Sequence, residues 1–215
     1  MLGRRHYRDP CPVAQALDLV GERWALLVVR ELLLGPKRFT DLRAQLQGVS
    51  PNVLSLRLEE LEAAGVIERR YLPPPAASHV YELSAQGREL EPIVRALVRF
   101  GRHCPPPADA LEPSPASAIL QLEAGFDPEA AAGLKLRVLL QLGLEVFRYR
   151  ITKKELRPQA AEAAEAELSL ACKPGTLLGL MRGGQTLEAA MDAGALQMDG
   201  DPELARAFLA SFHLP

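Results

Sequence analysis

Cysteine is scarce in this 215-residue chain, and its pattern excludes two kinds of stabilised fold. The three cysteines are widely spaced and outside any CxxC pair: Cys11, Cys104 and Cys172. An odd, sparse count argues against a disulfide framework or a structural zinc site. The histidines are equally scattered, with no carboxylate or cysteine at metal-site or triad spacing: His6, His79, His103 and His213. We therefore expect no metal, no cofactor and no enzymatic activity.

Long hydrophobic runs are missing as well. No stretch approaches the roughly 20 apolar residues that a membrane-spanning helix needs. The N-terminus, MLGRRHYRDPCP, lacks the apolar centre of a signal peptide. Hydrophobic residues make up 48% of the chain and charged residues 24%, which is typical of a globular protein. We expect a cytoplasmic protein without a membrane partner.

The whole chain has no excess of positive charge, but its two halves differ in net charge. The net charge of −2 is unfavourable for binding a nucleic acid. Residues 1–103, however, carry 15 basic and 12 acidic side chains, a balance of +3, whereas residues 104–215 carry 10 and 15, a balance of −5. The first half is therefore the candidate for contact with an anionic polymer, and the second half is not expected to touch DNA.

What the chain does contain, in residues 39–70, is a pattern of a short helix, a tight turn, a longer helix and a strand. Ser50 can cap the longer helix, with Pro51 at its first position, where a missing N–H costs nothing. Gly65 can close the same helix in a left-handed conformation. Together these residues predict a helix-turn-helix.

The two faces of the longer helix differ in a way that indicates its role. At about 100° per residue, one side is an apolar stripe: Val53, Leu54, Leu58 and Leu61. The other side consists of Pro51, Asn52, Ser55, Leu56 and Glu59. Its residues near the N-terminus are mostly small or hydrogen-bonding, and Glu59 comes two turns later. A helix that enters the major groove by its first turns needs such a face, because acidic side chains there would repel the phosphates. An ordinary amphipathic surface helix has the same pattern, so the flanking residues are needed to distinguish it from a helix that enters the major groove.

Strand-like residues follow the longer helix at once. Residues 66–72 and 80–83 flank Pro73, Pro74 and Pro75, which predicts a two-stranded wing. A helix-turn-helix followed directly by a wing is typical of a winged-helix DNA-binding module. A winged helix that docks another protein is the alternative.

Basic side chains around the motif are candidates for phosphate contacts. Lys37 and Arg38 lie where the first motif helix would approach the DNA backbone. The predicted wing tip, 73–78, contains no Lys or Arg, so its flanking residues are expected to position phosphates rather than read bases. For Arg57, near the buried edge of the longer helix, a structural ion pair competes with a phosphate contact. The expected DNA contacts are Lys37, Arg38, Ser50, Pro51, Asn52, Ser55, Leu56, Arg57, Arg69, Arg70 and His79.

Spaced segments between Cys11 and Gly101 share a family pattern. They include Cys11-Pro12, Gly21-Glu22-Arg23-Trp24, Gly35-Pro36-Lys37-Arg38-Phe39, Ser50-Pro51-Asn52-Val53-Leu54, Tyr81-Glu82-Leu83-Ser84 and Gly87-Arg88-Glu89-Leu90. This part of the chain resembles the HxlR group of winged-helix transcriptional regulators, relatives of the MarR type. The resemblance implies a homodimer that binds a palindromic or pseudo-palindromic operator on double-stranded DNA and is often regulated by a small signal.

Residues 84–101 fit such a dimer. Apolar residues recur there at helical spacing: Leu90, Ile93, Val94, Leu97 and Val98. In the family, a helix at this place packs with an N-terminal helix across a two-fold axis. Packing within one chain alone is the alternative.

Cys11 is the candidate for sensing chemistry. Some regulators of this family use a cysteine in this region to detect oxidants or electrophiles. Cys11 begins a predicted helix, three residues after Arg8, and both features favour the thiolate. A small buried hydrophobe is the competing interpretation.

The composition changes at CPPPADALEPSP, residues 104–115, which predicts a stiff Pro-rich linker between domains 1–103 and 116–215. Beyond it, strand-like alternation covers residues 134–142, 145–152 and 166–172. Short helices, a last strand and a final helix are predicted in residues 176–212.

This order, and the ending Leu187–Phe212 above all, resembles the sterol-carrier-protein-2-like fold. The resemblance implies an antiparallel sheet covered by helices around an apolar cavity, and hence an apolar small-molecule effector. A dry core that only aids oligomerisation is the alternative. The expected fold class is thus α+β, with an N-terminal winged helix-turn-helix domain and a C-terminal antiparallel-sheet α/β domain of sterol-carrier-2-like type.

Our hypothesis from the sequence is a homodimeric, sequence-specific transcription regulator. The family resemblance favours a repressor, and an apolar ligand of the second domain would control it. Two alternatives stay open: a redox regulator that senses through Cys11, and an apolar-ligand carrier with a vestigial winged helix.

Overall fold

The computed structural model describes residues 6–75, 77–105, 107–152, 154–161 and 163–214. The chain forms two compact units, Met1–Leu97 and Val98–Pro215, and the division falls inside the helix Glu91–Gly101. None of the helices in the described ranges is both long and apolar enough to cross a membrane.

The N-terminal unit contains the predicted helix-turn-helix and wing. Its elements are α1 (Pro12–Val20), α2 (Ala25–Leu32), α3 (Phe39–Gln45), α4 (Pro51–Ala63), β1 (Ile67–Leu72), β2 (Ser78–Leu83), α5 (Ala85–Arg88) and the part of α6 (Glu91–Gly101) that ends at Leu97. The strands β1 and β2 pair antiparallel, with Arg69 opposite Tyr81. Helix α3 and helix α4 form the helix-turn-helix, and the β1–β2 hairpin forms the wing.

A core of side chains from α2, α3 and α4 holds the helix-turn-helix in place. The fully buried apolar members are Ala25, Val28, Val29, Leu32, Leu42, Leu54, Leu58 and Leu61. Three positions of α4 recur at i, i+4 and i+7 and so lie on one side of the helix. Because this side is anchored, the opposite side of α4 is available to solvent.

The C-terminal unit is a five-stranded sheet with helices. Its elements are α7 (Pro115–Gly125), β3 (Leu136–Leu142), β4 (Glu145–Thr152), β5 (Glu155–Pro158), β6 (Leu168–Cys172), α8 (Pro174–Met181), α9 (Leu187–Asp192), β7 (Leu196–Gly200) and α10 (Pro202–Ala210). The strand order is β5-β4-β3-β6-β7. This arrangement confirms an α+β chain with a sheet in its C-terminal part.

The sheet is mixed, and the prediction of an antiparallel sheet was wrong in this respect. Strand β3 pairs antiparallel with β4 but parallel with β6, Val138 lying opposite Leu168. Parallel neighbours need a crossover connection. The segment after β5 provides it, because it returns the chain past β4 and β3 before β6 begins.

Two elements of this unit were missed from the sequence. Strand β5 has only four residues and ends on a proline. Helix α7 begins at Pro115, which we had placed in the linker, and Ser114 caps it by accepting a hydrogen bond from the Ser117 N–H. Seven of the eleven residues of α7 are buried and the other four are half-buried, so its sequence lacks the one-sided apolar period of a surface helix.

Candidate nucleic-acid interface

The N-terminus of α4 is built as the sequence predicts. The Ser50 hydroxyl accepts a hydrogen bond from the Val53 N–H at 3.3 Å, and Pro51 occupies the first helical position. Gly65, just beyond the last turn, has a φ of +70°, the left-handed conformation that glycine adopts at least cost. The cap and the glycine therefore fix where the helix begins and ends.

The exposed face of α4 combines one amide with apolar side chains. Asn52 is exposed, Leu56 is 49% exposed, and Ser55 is half-buried beside them. Val53, which the helical wheel had assigned to the core, is 37% exposed. An asparagine can form two hydrogen bonds with adenine in the major groove, and apolar side chains can contact the thymine methyl group.

Arg57 explains why Val53 is displaced from the core stripe. Arg57 is only 8% exposed, and its guanidinium forms ion pairs with Glu60 and, at 3.8 Å, with Glu22. Arg57 thus takes the i+3 position of the buried stripe that begins at Leu54, and Val53 lies at its edge. These contacts favour the structural ion pair over a phosphate contact, and we leave Arg57 out of the proposed interface.

The two basic residues before α3 differ in burial. Lys37 is buried, and its backbone pairs with that of Tyr81 in β2. Arg38 is exposed, and its N–H donates to the Asp41 carboxylate at 3.0 Å at the start of α3. Only Arg38 of this pair offers its side chain to the surface.

Arg43 on α3 is a candidate that the sequence analysis missed. Its side chain is exposed and has no ion pair with any residue that the structure describes. The signal was its position in the first motif helix, three residues after Thr40. A cation there is suited to contact the DNA backbone.

The wing carries one unpaired arginine and one paired arginine. Arg69 is exposed without an ion pair to the described residues. The Arg70 guanidinium instead donates to both Glu82 carboxylate oxygens, at 2.7 and 3.2 Å. His79 is exposed, with its ring 5.1 Å from that of Tyr71 in an edge-on contact. Arg69 is therefore the wing cation that is ready for a phosphate.

The apolar stripe of helix α6 is buried in part and exposed in part. Val94 is buried, and Leu90 and Val98 are half-buried. Ile93 and Leu97 are 49% and 47% exposed. On α1, Val13 and Leu17 are likewise exposed. Pro92 is the second residue of α6, where it does not disturb the helix.

The three cysteines lie in different environments. Cys11 is exposed at the N-cap of α1, where its N–H donates to the Asp9 carboxylate at 2.9 Å. Cys104 is also exposed. Cys172 is half-buried, and burial raises the pKa of its thiol to about 11. Arg4, Arg5 and Arg8 form a basic stretch near the N-terminus of the sequence; Arg8 is exposed, and Arg4 and Arg5 lie outside the described residues.

Known proteins resemble the N-terminal part of the chain. The model of the HxlR-like helix-turn-helix family matches residues 19–108. An uncharacterised HTH-type transcriptional regulator of Synechocystis is 38% identical over 91 residues, which are 42% of this chain and 67% of that protein. The uncharacterised HTH-type transcriptional regulator YvaP of Bacillus subtilis is 37% identical over 93 residues, or 43% and 86% of the two chains.

Solved structures with a similar sequence are also known. The redox regulator HypR in its oxidised form is 34% identical and covers 42% of this chain and 94% of its own, with a TM-score of 0.40. The reduced form of the transcriptional regulator YodB from B. subtilis is 31% identical over 45% and 96% of the two chains, with a TM-score of 0.40.

The sequence relatives and the family model cover the segment that folds as a helix-turn-helix with a wing. This chain belongs to the HxlR-like helix-turn-helix family of transcriptional regulators.

Proposed function

We propose that the protein is a cytoplasmic homodimer that represses transcription by binding a palindromic operator. It acts by binding and not by catalysis. The observation that carries the proposal is the exposed face of α4, where Asn52 and Leu56 lie on the side opposite the buried leucines. The N-terminal part of this face suits base edges, because its first two turns offer an amide and an apolar contact and carry no like charge to the phosphates.

Charge around α4 supports this assignment. Arg38 and Arg43 are exposed on or beside α3, and Arg69 is exposed on β1. These cations flank the recognition helix in the chain, whereas Glu59 and Glu62 lie in its later turns. Phosphate contacts from the flanking elements would set the register in which α4 meets the bases.

The apolar residues of α1 and α6 support a dimer. Ile93 and Leu97, together with Val13 and Leu17, expose apolar side chains that water solvates poorly. A second copy that covers them would also place two recognition helices on one DNA duplex. Binding to successive major grooves requires these helices to lie about 34 Å apart.

We further propose that the C-terminal unit is of the sterol-carrier-2-like type and binds an apolar small-molecule effector. The support is its sheet-and-helix architecture, with two short helices, a strand and a final helix at the end of the chain. Binding of the effector would change the placement of the recognition helices and so the affinity for the operator.

The test is selection of bound sequences from a random pool of DNA duplexes by the full-length protein. The proposal predicts two inverted half-sites one helical turn apart and affinity that falls with salt. Asn52→Ala should lower affinity for the selected duplex about tenfold or more, because alanine cannot hydrogen-bond to a base. Gln197→Ala, which removes an exposed amide from β7, is the matched control and should have no effect.

Failure to select any sequence, with no salt-dependent binding at low salt, would contradict the proposal. That result would favour the apolar-ligand carrier with a vestigial winged helix. Selection of single, unpaired half-sites would retain the DNA contact and refute the dimer.

A redox regulator is the second candidate, and the exposure of Cys11 at the start of α1 favours it. An accessible thiol at a helix N-terminus is a suitable place for oxidation. In this case, oxidant would change affinity for the selected duplex in the wild type and in Cys104→Ser, but not in Cys11→Ser. A response that survives Cys11→Ser would refute sensing by this residue.

A further inference from the structure

One face of the C-terminal sheet packs against the core, and the other carries a row of arginines. On β3 the buried side chains are Leu136, Val138, Leu140 and Leu142, and on β4 they are Tyr149 and Ile151. Alternate residues of a strand point to opposite faces. Arg137, Arg148 and Arg150 therefore lie on the outer face of the sheet.

Register places arginines directly opposite one another on this face. Arg137 of β3 is opposite Arg150 of β4, and Arg150 is opposite Arg157 of β5. Arg148 lies two residues from Arg150 on the same face. We call these four residues the arginine face. Like charges on opposite strand positions are destabilising, so this row needs a compensating partner.

The row is unexpected because the surrounding half of the chain is acidic. Four of the ten basic residues in residues 104–215 lie on these three strands, although 15 acidic residues give this half a balance of −5. A random scatter of charges would leave each arginine near carboxylates. The structure gathers the arginines instead.

Carboxylates neutralise only the two ends of the row. Arg137 lies 3.6 Å from Glu167, and its Nε–H donates to the Glu165 carbonyl at 2.9 Å. Arg157 lies 2.6 Å from Glu155. Exposed Arg150 and half-buried Arg148 have no ion pair or side-chain hydrogen bond with the residues that the structure describes. A half-buried guanidinium gains most from an anionic partner, because it has already lost part of its hydration.

A pocket opens beside the half-buried arginine. Two residues each of β3 and β4 line it, Arg137, Val138, Arg148 and Tyr149, together with Gln159 and three small residues of the crossover to β6: Ala163, Ala164 and Ala166. Its enclosed part has room for about one water molecule, and the rest of it is open to solvent. The Gln159 N–H donates to the Arg148 carbonyl at 2.8 Å, which holds the start of the crossover against β4. The pocket therefore has a cationic side and a narrow apolar wall.

We propose that this pocket binds a small organic carboxylate. Arg148 donates to the carboxylate as its main partner, Arg150 adds positive charge, and a short aliphatic tail packs against the alanines. Guanidinium and carboxylate match in geometry, with two parallel N–H···O bonds. The enclosed part admits only the carboxylate head group, so the tail lies on the open side of the pocket. The site goes beyond the proposed function, since it needs neither DNA nor a dimer.

The experiment is calorimetric titration of the full-length protein with hexanoate, with uncharged hexanamide and with inorganic phosphate. Hexanoate should bind, and hexanamide should not. Arg148→Gln should weaken hexanoate about tenfold, because it removes a charge-assisted pair of hydrogen bonds. Arg182→Gln, which removes an exposed arginine at the end of α8, is the matched control and should leave affinity unchanged.

A second measurement guards against a variant that fails to fold. Arg150→Gln should raise the thermal midpoint of the protein without ligand, because it removes a like charge from the row. Hexanoate should raise the wild-type midpoint and have less effect on the Arg148→Gln midpoint.

Three outcomes would overturn the proposal: no heat with hexanoate, an equal loss of affinity in Arg148→Gln and Arg182→Gln, or binding of phosphate but not hexanoate. A fourth would reassign the face to nucleic acid, namely duplex DNA that competes with hexanoate and is bound less tightly by Arg148→Gln.

Discussion

Four arginines of the N-terminal unit each have a carboxylate within a few residues or across the wing, whereas Arg150 of the C-terminal unit lies between two other arginines. Arg30 pairs with Glu31, Arg57 with Glu60, Arg70 with Glu82 and Arg95 with Glu91. On the C-terminal sheet, strand register brings like charges together instead. Both units therefore pair some of their arginines with carboxylates, but among the described residues only the C-terminal sheet places arginines directly opposite one another.

The net charge of a unit therefore does not predict where its unpaired arginines lie. An arginine that is already paired with a carboxylate is less available to bind a phosphate or another anion. In the N-terminal unit Arg43 and Arg69 remain unpaired among the described residues, and both lie on elements next to α4. Four predictions test or sharpen the comparison.

The largest effect is expected from breaking the buried pair of Arg57. Glu60→Ala should lower the free energy of unfolding by about 2 kcal/mol, because a buried guanidinium loses its main partner. Arg57→Met should be close to neutral, since it removes the charge and keeps the volume. Urea unfolding followed by the fluorescence of Trp24 measures both. A neutral Glu60→Ala would show that the pair contributes little.

A smaller effect is expected from alternating the charges of the arginine face. Arg150→Glu places a carboxylate between Arg137 and Arg157, and it should raise the free energy of unfolding by about 0.5–1 kcal/mol. Arg182→Glu makes the same charge change away from the sheet and serves as the control. Thermal unfolding measures the two. Destabilisation by Arg150→Glu alone would contradict the account of the row.

Releasing the paired wing arginine should strengthen DNA binding slightly. Glu82→Gln frees the Arg70 guanidinium for a phosphate, and affinity should rise about threefold at low salt. Glu68→Gln removes the same charge from the same hairpin without releasing an arginine in this way. Titration of the selected duplex measures both variants. Equal gains would mean that only the general loss of negative charge matters.

The smallest expected effect on stability comes from ionisation of the Cys172 thiol, which distinguishes it from the thiols of Cys11 and Cys104. Burial raises the pKa of Cys172 from 9.0 to about 11, and the charge of Glu112 adds to the shift. The folded state thus holds this proton more tightly than the unfolded chain. Its contribution to stability is present below about pH 9 and is lost as the pH rises toward 11.

Alkylation of the native protein checks this point. Iodoacetamide at pH 8 should label the exposed Cys11 and Cys104 and spare Cys172 until the protein is denatured, as mass spectrometry would show. Labelling of all three thiols at the same rate would contradict the assigned environment of Cys172.

Local signals predicted most of the helix-turn-helix. Ser50, Pro51 and Gly65 act through their own backbone and nearest neighbours, so they could be read without the fold. The side of α4 on which Val53 and Arg57 lie depends on which neighbouring carboxylates and leucines the helix meets. A helical wheel does not contain that information, and Val53 was therefore misassigned.

Non-local pairing limited the prediction of the C-terminal unit. The alternation in β3 and β4 revealed the strands, because Tyr149 and Ile151 are buried and their neighbours are not. The parallel pairing of β3 with β6 joins segments far apart in the chain, and no local residue specifies it. The arginine face depends on the same register, so it became visible only in the fold.

The most direct test is the salt dependence of DNA binding for Arg69→Gln and Arg150→Gln beside the wild type. If the N-terminal unit holds the DNA, Arg69→Gln should reduce the slope of log affinity against log salt by about one for each phosphate that it no longer neutralises. Arg150→Gln should leave the slope unchanged. A reduced slope in Arg150→Gln, with a wild-type slope in Arg69→Gln, would place the DNA on the arginine face and contradict the account.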